Sequence, residues 1–268
     1  MRGELAGRVA LVTAGTSGIG RAIADAFLRA GACVVVNGRS RQRAAAALDS
    51  WGEHGDSVVF VAADVTVGAD CDRLVDEAQQ HFGRLDVLVN NFGSFARSGS
   101  PGDFVPLHEQ PDDALNFAWN VNLMPAFWCA RRALPGFIEQ RFGRIINLSS
   151  VAGKIGSALA GPYAVGKHAL NGLTKVLAIE NAKFGVTSNA ICSGSVETEM
   201  MRSEGSQLAI ALGLSYDEFR QRNAEGALIK RLLAPEEIAA MATLLASDLG
   251  GAITGQCINV DGGIVLSG

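Results

Sequence analysis

The chain has 268 residues, of which 48% are hydrophobic, and a formal net charge of −4. This length and apolar content are enough for one large α/β domain with a substantial core. The slightly acidic balance excludes the basic surface expected of a protein that binds nucleic acid or an anionic membrane.

Cysteine usage and apolar patterning indicate the cellular compartment in which we expect the protein. The five cysteines are scattered and show no metal-ligand spacing, so we expect free thiols and no metal site. No apolar stretch reaches the roughly 18 residues needed to cross a bilayer. Residues 1–5 lead towards the first predicted strand without the apolar region of a signal peptide. We therefore expect a cytoplasmic protein.

Short apolar segments alternate with helical patterns, which predicts a parallel sheet covered by helices on both faces. The predicted strands are 8–13, 33–37, 57–61, 85–90, 144–148, 187–192 and 256–260. The predicted helices are 18–29, 41–51, 69–82, 111–132, 161–184 and one that begins at Pro235. Residues 94–110 are predicted as a loop beside the site, and 199–232 as polar and helix-compatible. No linker or repeat divides the chain, so we expect a single domain, 1–268.

A glycine-rich turn, 13–20, lies between the first strand and the first helix. Glycines let a backbone turn tightly and approach a pyrophosphate, and the helix N-terminus offers free N–H groups to it. This placement predicts a dinucleotide site, with contacts from Ser17, Gly18, Ile19 and Gly20.

The end of the second strand indicates which dinucleotide is bound. A carboxylate there would bind the ribose 2′-hydroxyl and repel a 2′-phosphate. This chain instead has Gly38 followed by Arg39, whose guanidinium can pair with a phosphate. We therefore predict NADP(H) over NAD(H).

Tyr163 and Lys167 are four residues apart in a predicted helix, and so share one face. A nearby ammonium favours the phenolate and lowers the pKa of a tyrosine, which is ordinarily about 10. The pair could therefore move a proton to or from a substrate oxygen. By itself the spacing is common, and a Tyr packed under a Lys stem is the structural alternative.

An ordered set of motifs extends this pattern over the whole chain. Asp64-Val65 follows the third strand, Asn90-Asn91-Phe92-Gly93 the fourth, and Ser150 the fifth, with Asn122 in the long helix between them. Together with the turn and the Tyr–Lys pair, these residues resemble the short-chain dehydrogenase/reductase family, in particular its 3-oxoacyl reductases. The resemblance implies a single-domain Rossmann fold with a doubly wound seven-stranded parallel sheet in the order 3-2-1-4-5-6-7.

The resemblance also implies roles for the site residues. Ser150 would hydrogen-bond the substrate carbonyl, Tyr163 would donate the proton, and Lys167 would hold the nicotinamide ribose. Asn122 would hold a water that links Lys167 to solvent. The remaining implied cofactor contacts are Asp64, Val65, Asn91, Gly93, Val196 and Thr198.

Some positions depart from the family pattern. Ala14 replaces a glycine of the turn, Phe92 replaces a small residue beside the cofactor, and Ser193 replaces a common proline. Pro125 lies three residues after Asn122 and lacks the N–H of a helical residue, so a kink at Asn122 is expected.

Residues 199–231 correspond to the family's variable lid and could present an apolar wall to the substrate. The implied activity is that of an NADP(H)-dependent oxidoreductase of class EC 1.1.1.-, acting on a 3-oxoacyl-type or natural-product ketone. Oxidation of a secondary alcohol and a non-catalytic NADP(H)-binding regulator are the alternatives. Resemblance to 3-hydroxybutyrate dehydrogenases is weaker, because alanines, Ala152 and Ala160, match their carboxylate-binding positions. The family further implies a homotetramer.

Overall fold

The computed structural model describes residues 3–266; the predicted domain also includes residues 1–2 and 267–268, which lie outside that range. The strands are β1 (Val9–Val12), β2 (Cys33–Gly38), β3 (Val58–Ala62), β4 (Val87–Asn90), β5 (Gly143–Ser150), β6 (Val186–Ser193) and β7 (Cys257–Val260). The helices are α1 (Gly18–Arg29), α2 (Arg41–Ser50), α3 (Gly68–Phe82), α4 (Asp112–Asn122), α5 (Met124–Glu139), α6 (Gly161–Asn181), α7 (Glu199–Ala211), α8 (Tyr216–Gly226) and α9 (Pro235–Ala246).

The strands form one parallel sheet in the order β3-β2-β1-β4-β5-β6-β7, as predicted. Its central strands are apolar on both faces: Val9–Val12 and Val87–Asn90 are buried throughout. Strands with this pattern require helices on both sides, and the crossover helices between parallel strands provide them. The carboxyl ends of all seven strands therefore share one edge, where the loops that follow them meet.

Two apolar cores hold the helices against the sheet. On one face Ile23 and Phe27 of α1 pack with Ile238 and Leu245 of α9. On the other face α3 and α5 pack together, and Phe137 of α5 is completely buried. Burial of each such side chain stabilises the fold by roughly 1.5–3 kcal/mol. The packed helices on both faces therefore hold in place the sheet edge at which the loops meet.

The predicted helix 111–132 is interrupted, as the position of Pro125 indicated. Leu123 leaves the helical region (φ −121°, ψ −53°) and separates α4 from α5. Pro125 then lies in the first turn of α5, where a missing N–H costs no intrahelical hydrogen bond. The prediction of the helix end was wrong, because α5 continues through Pro135 to Glu139.

The segment 199–232, predicted as polar and helix-compatible, contains two helices, α7 and α8. Thr198 caps α7 by accepting a hydrogen bond from the Met201 N–H at 3.1 Å. Arg220 of α8 forms a bidentate ion pair with Glu197, which fastens α8 to the start of α7. Within residues 3–266, no helix is long and apolar enough to cross a membrane, and no cluster of metal-binding side chains is present.

Candidate active site

The carboxyl edge of the sheet brings together segments that are distant in sequence. The turn after β1, residues 91–93 after β4, Ser150 at the end of β5 and the segment 194–198 after β6 all lie at this edge. An edge of this kind in an open α/β sheet is where ligands bind. Helix α6 adds Tyr163 and Lys167 to the same region.

Ser150 and Tyr163 are neighbours in the site. Burial raises the pKa of Tyr163 to about 12, and the Ser150 hydroxyl partly offsets this effect. The Ser150 hydroxyl also accepts a hydrogen bond from the Ala152 N–H at 3.1 Å, which fixes it at the strand end. Tyr163 therefore keeps its proton at neutral pH.

Lys167 is 4% exposed, and its Nζ atom donates a hydrogen bond to the Leu148 carbonyl at 2.8 Å. Burial lowers the pKa of Lys167 to about 8. The expectation that this ammonium lowers the pKa of Tyr163 is wrong for the structure as it stands. The reason is that burial dominates at the phenol, which spacing along a helix does not reveal.

Asn122 binds the backbone that follows β4. Its Nδ2 atom donates to the Ser94 carbonyl at 2.9 Å and its Oδ1 atom accepts from the Ser94 N–H at 3.2 Å. A Cβ atom on Gly93 would lie 2.8 Å from Asn122 Oδ1 and 3.0 Å from Lys167 Nζ. Gly93 thus allows Asn122 and Lys167 to approach from two sides.

The glycine-rich turn is tight enough to exclude side chains at two positions. A Cβ atom on Gly15 would lie 2.9 Å from the Val12 carbonyl, and one on Gly20 would lie 2.5 Å from the Ala14 carbonyl. Ala14 itself has φ +50°, a left-handed conformation that costs an L-residue roughly 1–2 kcal/mol. Two side-chain amides hold it there: Asn37 accepts from the Ala14 N–H, and Asn91 donates to its carbonyl.

This turn fits the phosphates of a dinucleotide. Ser17 precedes α1 without a side-chain capping bond, and the first turn of α1 contains no acidic residue. The helix end therefore offers N–H donors and a positive dipole to an anion. Gly18 has φ +52°, and a Cβ there would meet Thr198 at 3.5 Å, so the segment after β6 closes over the turn. Ile19 packs against the core below it.

The other predicted cofactor residues lie around this turn. Arg39 is exposed just after β2 and makes no side-chain hydrogen bond or ion pair to any part of the chain that the structure describes. Asp64 accepts two hydrogen bonds from Thr66, and Val65 is buried beside it. Val196 is buried and pairs with Leu233 in an isolated bridge.

An aromatic cleft lies next to Tyr163. The ring of Phe95 meets the rings of Tyr163 and Phe104, each at a centroid distance of 5.9 Å. Phe117 lines the same cleft from α4. Phe92, in contrast, packs into the core and does not crowd the turn. The cleft therefore has an aromatic wall beside the phenol, and Arg97, Asp103 and Gln110 add polar groups to its lining.

Two of these features were missed at the level of sequence. Glu204 of α7 accepts hydrogen bonds from the 94–96 segment, and Phe95 contacts Tyr163. Neither residue belongs to a local motif, and no signal short of the tertiary contact of α7 indicates them. Arg97, in the same loop as Phe95, pairs with Asp103 and Asp113.

Comparisons with known proteins extend over nearly the whole chain. A family model described as enoyl-(acyl carrier protein) reductase matches residues 13–265. The D-beta-hydroxybutyrate dehydrogenase of Cupriavidus necator is 37% identical over 97% of this chain and 99% of its own. The 3-oxoacyl-(acyl-carrier-protein) reductase of Vibrio harveyi is 35% identical over 98% and 99%, respectively.

A solved structure has the same fold. A protein provisionally assigned as a gluconate dehydrogenase, from Agrobacterium tumefaciens, superimposes with a TM-score of 0.87. It is 29% identical, and the match covers 100% of both chains. The seven strands and their surrounding helices are thus those of a known dehydrogenase architecture.

Proposed function

The chain belongs to the short-chain dehydrogenase/reductase family, and from that premise we propose that it is an NADP(H)-dependent carbonyl reductase. It is an oxidoreductase of class EC 1.1.1.-. The proposed substrate is a 3-oxoacyl-type or natural-product ketone. The observation on which this proposal rests is that Ser150 is close enough to Tyr163 to influence its pKa, while Lys167 is buried one helical turn from Tyr163.

In the proposed reaction Tyr163 donates a proton to the carbonyl oxygen. Ser150 hydrogen-bonds the same oxygen and stabilises the charge that develops on it. Lys167 holds the nicotinamide ribose, and Asn122 fixes the backbone beside it while holding a water that leads to solvent. When bound, the dinucleotide supplies the hydride. It would contact Ser17 to Gly20, Asp64, Val65, Asn91, Gly93, Val196 and Thr198 as well as Tyr163 and Lys167.

The state of Tyr163 favours reduction over oxidation. A phenol with a pKa of about 12 is protonated at neutral pH, which is the form that donates a proton to a carbonyl. Alcohol oxidation needs the phenolate instead.

Arg39 supports the choice of NADP(H). It is exposed directly after β2, and neither Gly38 nor Ser40 supplies a carboxylate that would repel a 2′-phosphate. The guanidinium is therefore available to pair with that phosphate.

The substrate proposal rests on the aromatic cleft and on the relatives. Phe95, Phe104 and Phe117 favour an apolar group next to the carbonyl. A second candidate, a catabolic secondary-alcohol dehydrogenase, is supported by the similarity to a hydroxybutyrate dehydrogenase. A third, a non-catalytic NADP(H)-binding regulator, conflicts with the retention of Ser150, Tyr163 and Lys167.

We further propose that the protein is cytoplasmic and assembles as a homotetramer through α4, α5 and α6. These helices expose large apolar side chains that a monomer leaves in water. The residues are Leu115, Trp119, Phe127, Val165, Val176 and Ile179, and Ile179 is 82% exposed.

A panel of ketones and secondary alcohols tests the three functions. Turnover is followed by nicotinamide absorbance with NADPH, NADH, NADP⁺ and NAD⁺. We expect ketone reduction with NADPH to have the highest kcat/KM. Higher values for alcohol oxidation would support the second candidate, and tight NADPH binding without any turnover would support the third.

A further inference from the structure

The loop after β4 is fixed from two sides. Asn122 binds the Ser94 backbone from α4, through hydrogen bonds of 2.9 and 3.2 Å. Glu204 binds the next residues from α7: its carboxylate accepts from the Phe95 N–H at 2.9 Å and from the Ala96 N–H at 3.1 Å. A third bond comes from the Ser94 hydroxyl at 3.0 Å. Residues 94–96 thus connect α7 to the active site.

This connection reaches the reacting group itself. The Phe95 ring, held by the same segment, lies edge-on against the Tyr163 ring. Burial is the main reason that the pKa of Tyr163 is raised, and the charge of Glu204 adds to it. The carboxylate is thus separated from the Tyr163 ring by a single residue, Phe95, whose N–H it binds and whose ring contacts the phenol.

Glu204 has no cationic partner in residues 3–266. The donors at its oxygens are two backbone N–H groups and one hydroxyl. Asp103, which adds to the raised pKa of Glu204, is also negative, and Arg97 is engaged by Asp103 and Asp113. Burial raises the pKa of Glu204, while its hydrogen-bond donors favour the ionised form. This carboxylate, which has no cationic partner in the part of the chain that the structure describes, is thus hydrogen-bonded to the backbone of a residue that lines the cleft, Phe95.

We propose that Glu204 is a specificity-determining residue: its carboxylate holds α7 on the 94–96 segment and disfavours ketones that carry a carboxylate beside the reacting carbonyl. The inference rests on the proposed ketone reduction. A second negative charge in a poorly solvated cleft is repelled by Glu204, whereas a neutral ester, thioester or amide is not. The accepted class is then a neutral 3-oxoacyl derivative.

Two ketones that differ in one charge test the specificity. The ratio of kcat/KM for 3-oxobutanoate to that for its methyl ester is measured with NADPH. In Glu204→Gln the amide keeps the shape and can still accept from the Phe95 and Ala96 N–H groups. We expect this variant to raise the ratio about tenfold, the size of a charge repulsion across a partly buried site. Asp217→Asn removes one exposed carboxylate from α8 and serves as the control, with an unchanged ratio. A ratio in Glu204→Gln within twofold of the wild type would overturn the proposal.

Hydrogen exchange tests the attachment of α7 without any turnover. In Glu204→Ala the Phe95 amide loses its acceptor and should exchange about tenfold faster, while the Ala96 amide keeps a second acceptor in the Ser94 hydroxyl and Glu204→Gln retains protection. Equal protection in Glu204→Ala and wild type would overturn this part of the inference. If neither ketone is reduced, the proposed ketone reduction is refuted, whereas the role of Glu204 is not. The exchange rates, and the ratio of Kd values for the two ketones by calorimetry on the NADPH-loaded protein, then still decide the role of Glu204.

Discussion

Lys167 Nζ lies 5.7 Å from the centroid of the Tyr163 ring, on the same face of α6. The ammonium donates a hydrogen bond to the Leu148 carbonyl, two residues before the end of β5. Lys167 thereby links α6 to the strand that ends in Ser150. Lys167 therefore positions Ser150 and Tyr163 relative to each other before any ligand is bound.

Replacement of Tyr163 by Phe should abolish most turnover and leave cofactor binding nearly intact. The variant loses the proton donor, a contribution of about 10²–10⁴ in kcat. Steady-state kinetics and NADPH fluorescence measure the two effects. Tyr216→Phe is the matched control, since the chain has two tyrosines and Tyr216 lies at the start of α8. Full activity of Tyr163→Phe would refute the assignment.

Replacement of Lys167 by Met should change how stability depends on pH. The pKa of Lys167 is about 8 in the folded protein and 10.5 ordinarily, so between these values the unfolded chain binds the extra proton. Stability of the wild type therefore rises with pH in this window, by up to about 3 kcal/mol. Below pH 8 Lys167 is protonated in both the folded and the unfolded protein. The folded protein then bears the full free-energy cost of burying the charge.

Met has no charge to bury, so the stability of Lys167→Met relative to the wild type should fall as pH rises from 8 towards 10. Urea unfolding at several pH values measures this difference, and the exposed Lys175 on α6, changed to Met, is the control. The measurement stops at pH 10, because the raised pKa of Tyr163 acts in the opposite direction above it. A pH-independent difference would contradict the lowered pKa.

The comparison of Tyr163 with Pro125 indicates what sequence can predict. The break near Asn122 was predicted because a missing N–H is a local property of proline. The alternation of apolar strands and helices likewise predicted a parallel sheet. The order of its strands came from the family resemblance. The pKa of Tyr163 was mispredicted because it depends on burial, which is a property of the whole fold.

Glu204 illustrates the same limit within the site. Its role depends on the approach of α7 to residues 94–96, more than a hundred positions away in sequence. No periodicity or motif encodes that contact. The helix end predicted at 132 was wrong for a related reason: α5 continues through Pro135, and Phe137 beyond it is completely buried.

Arg39→Asp should reverse the cofactor preference. The substitution removes the proposed partner of the 2′-phosphate and introduces a charge that repels it, while a carboxylate there can bind the ribose hydroxyls of NADH. We expect the ratio of kcat/KM for NADPH to that for NADH to fall by at least about a hundredfold, given two charge effects at one phosphate. Arg222→Asp, an exposed change on α8, should leave the ratio unaltered. An unaltered ratio in Arg39→Asp would refute the NADP(H) proposal.

Gly20→Ala should destabilise the protein and weaken cofactor binding. The new Cβ would overlap Asn91 and the Ala14 carbonyl, so the turn has to shift. We expect a loss of about 1–3 kcal/mol, typical of overpacking. Gly226→Ala, in α8, meets nothing within 4 Å and should cost nothing. Chemical denaturation and NADPH titration measure both variants, and equal stability of the two would contradict the described turn.

Ile179→Asp should weaken the proposed assembly. Ile179 is 82% exposed on α6, so a charge there would not affect a monomer but would be buried unpaired in an interface. Sedimentation velocity should show smaller species than for the wild type. Val67→Asp changes an exposed apolar residue before α3 and should not alter the species observed. Identical sedimentation of Ile179→Asp and wild type would exclude this face as the interface.

The break at Leu123 has a consequence for how a subunit responds to its neighbours. Helix α4 ends in Asn122, and its other face exposes Leu115 and Trp119. Leu123 interrupts the helix between α4 and α5, so a partner that contacts Leu115 and Trp119 acts on α4 directly. A partner that immobilises α4 therefore also restricts Asn122 and the Ser94 backbone bound to it. By mass action, specific activity should then depend on protein concentration near the dissociation constant of the assembly.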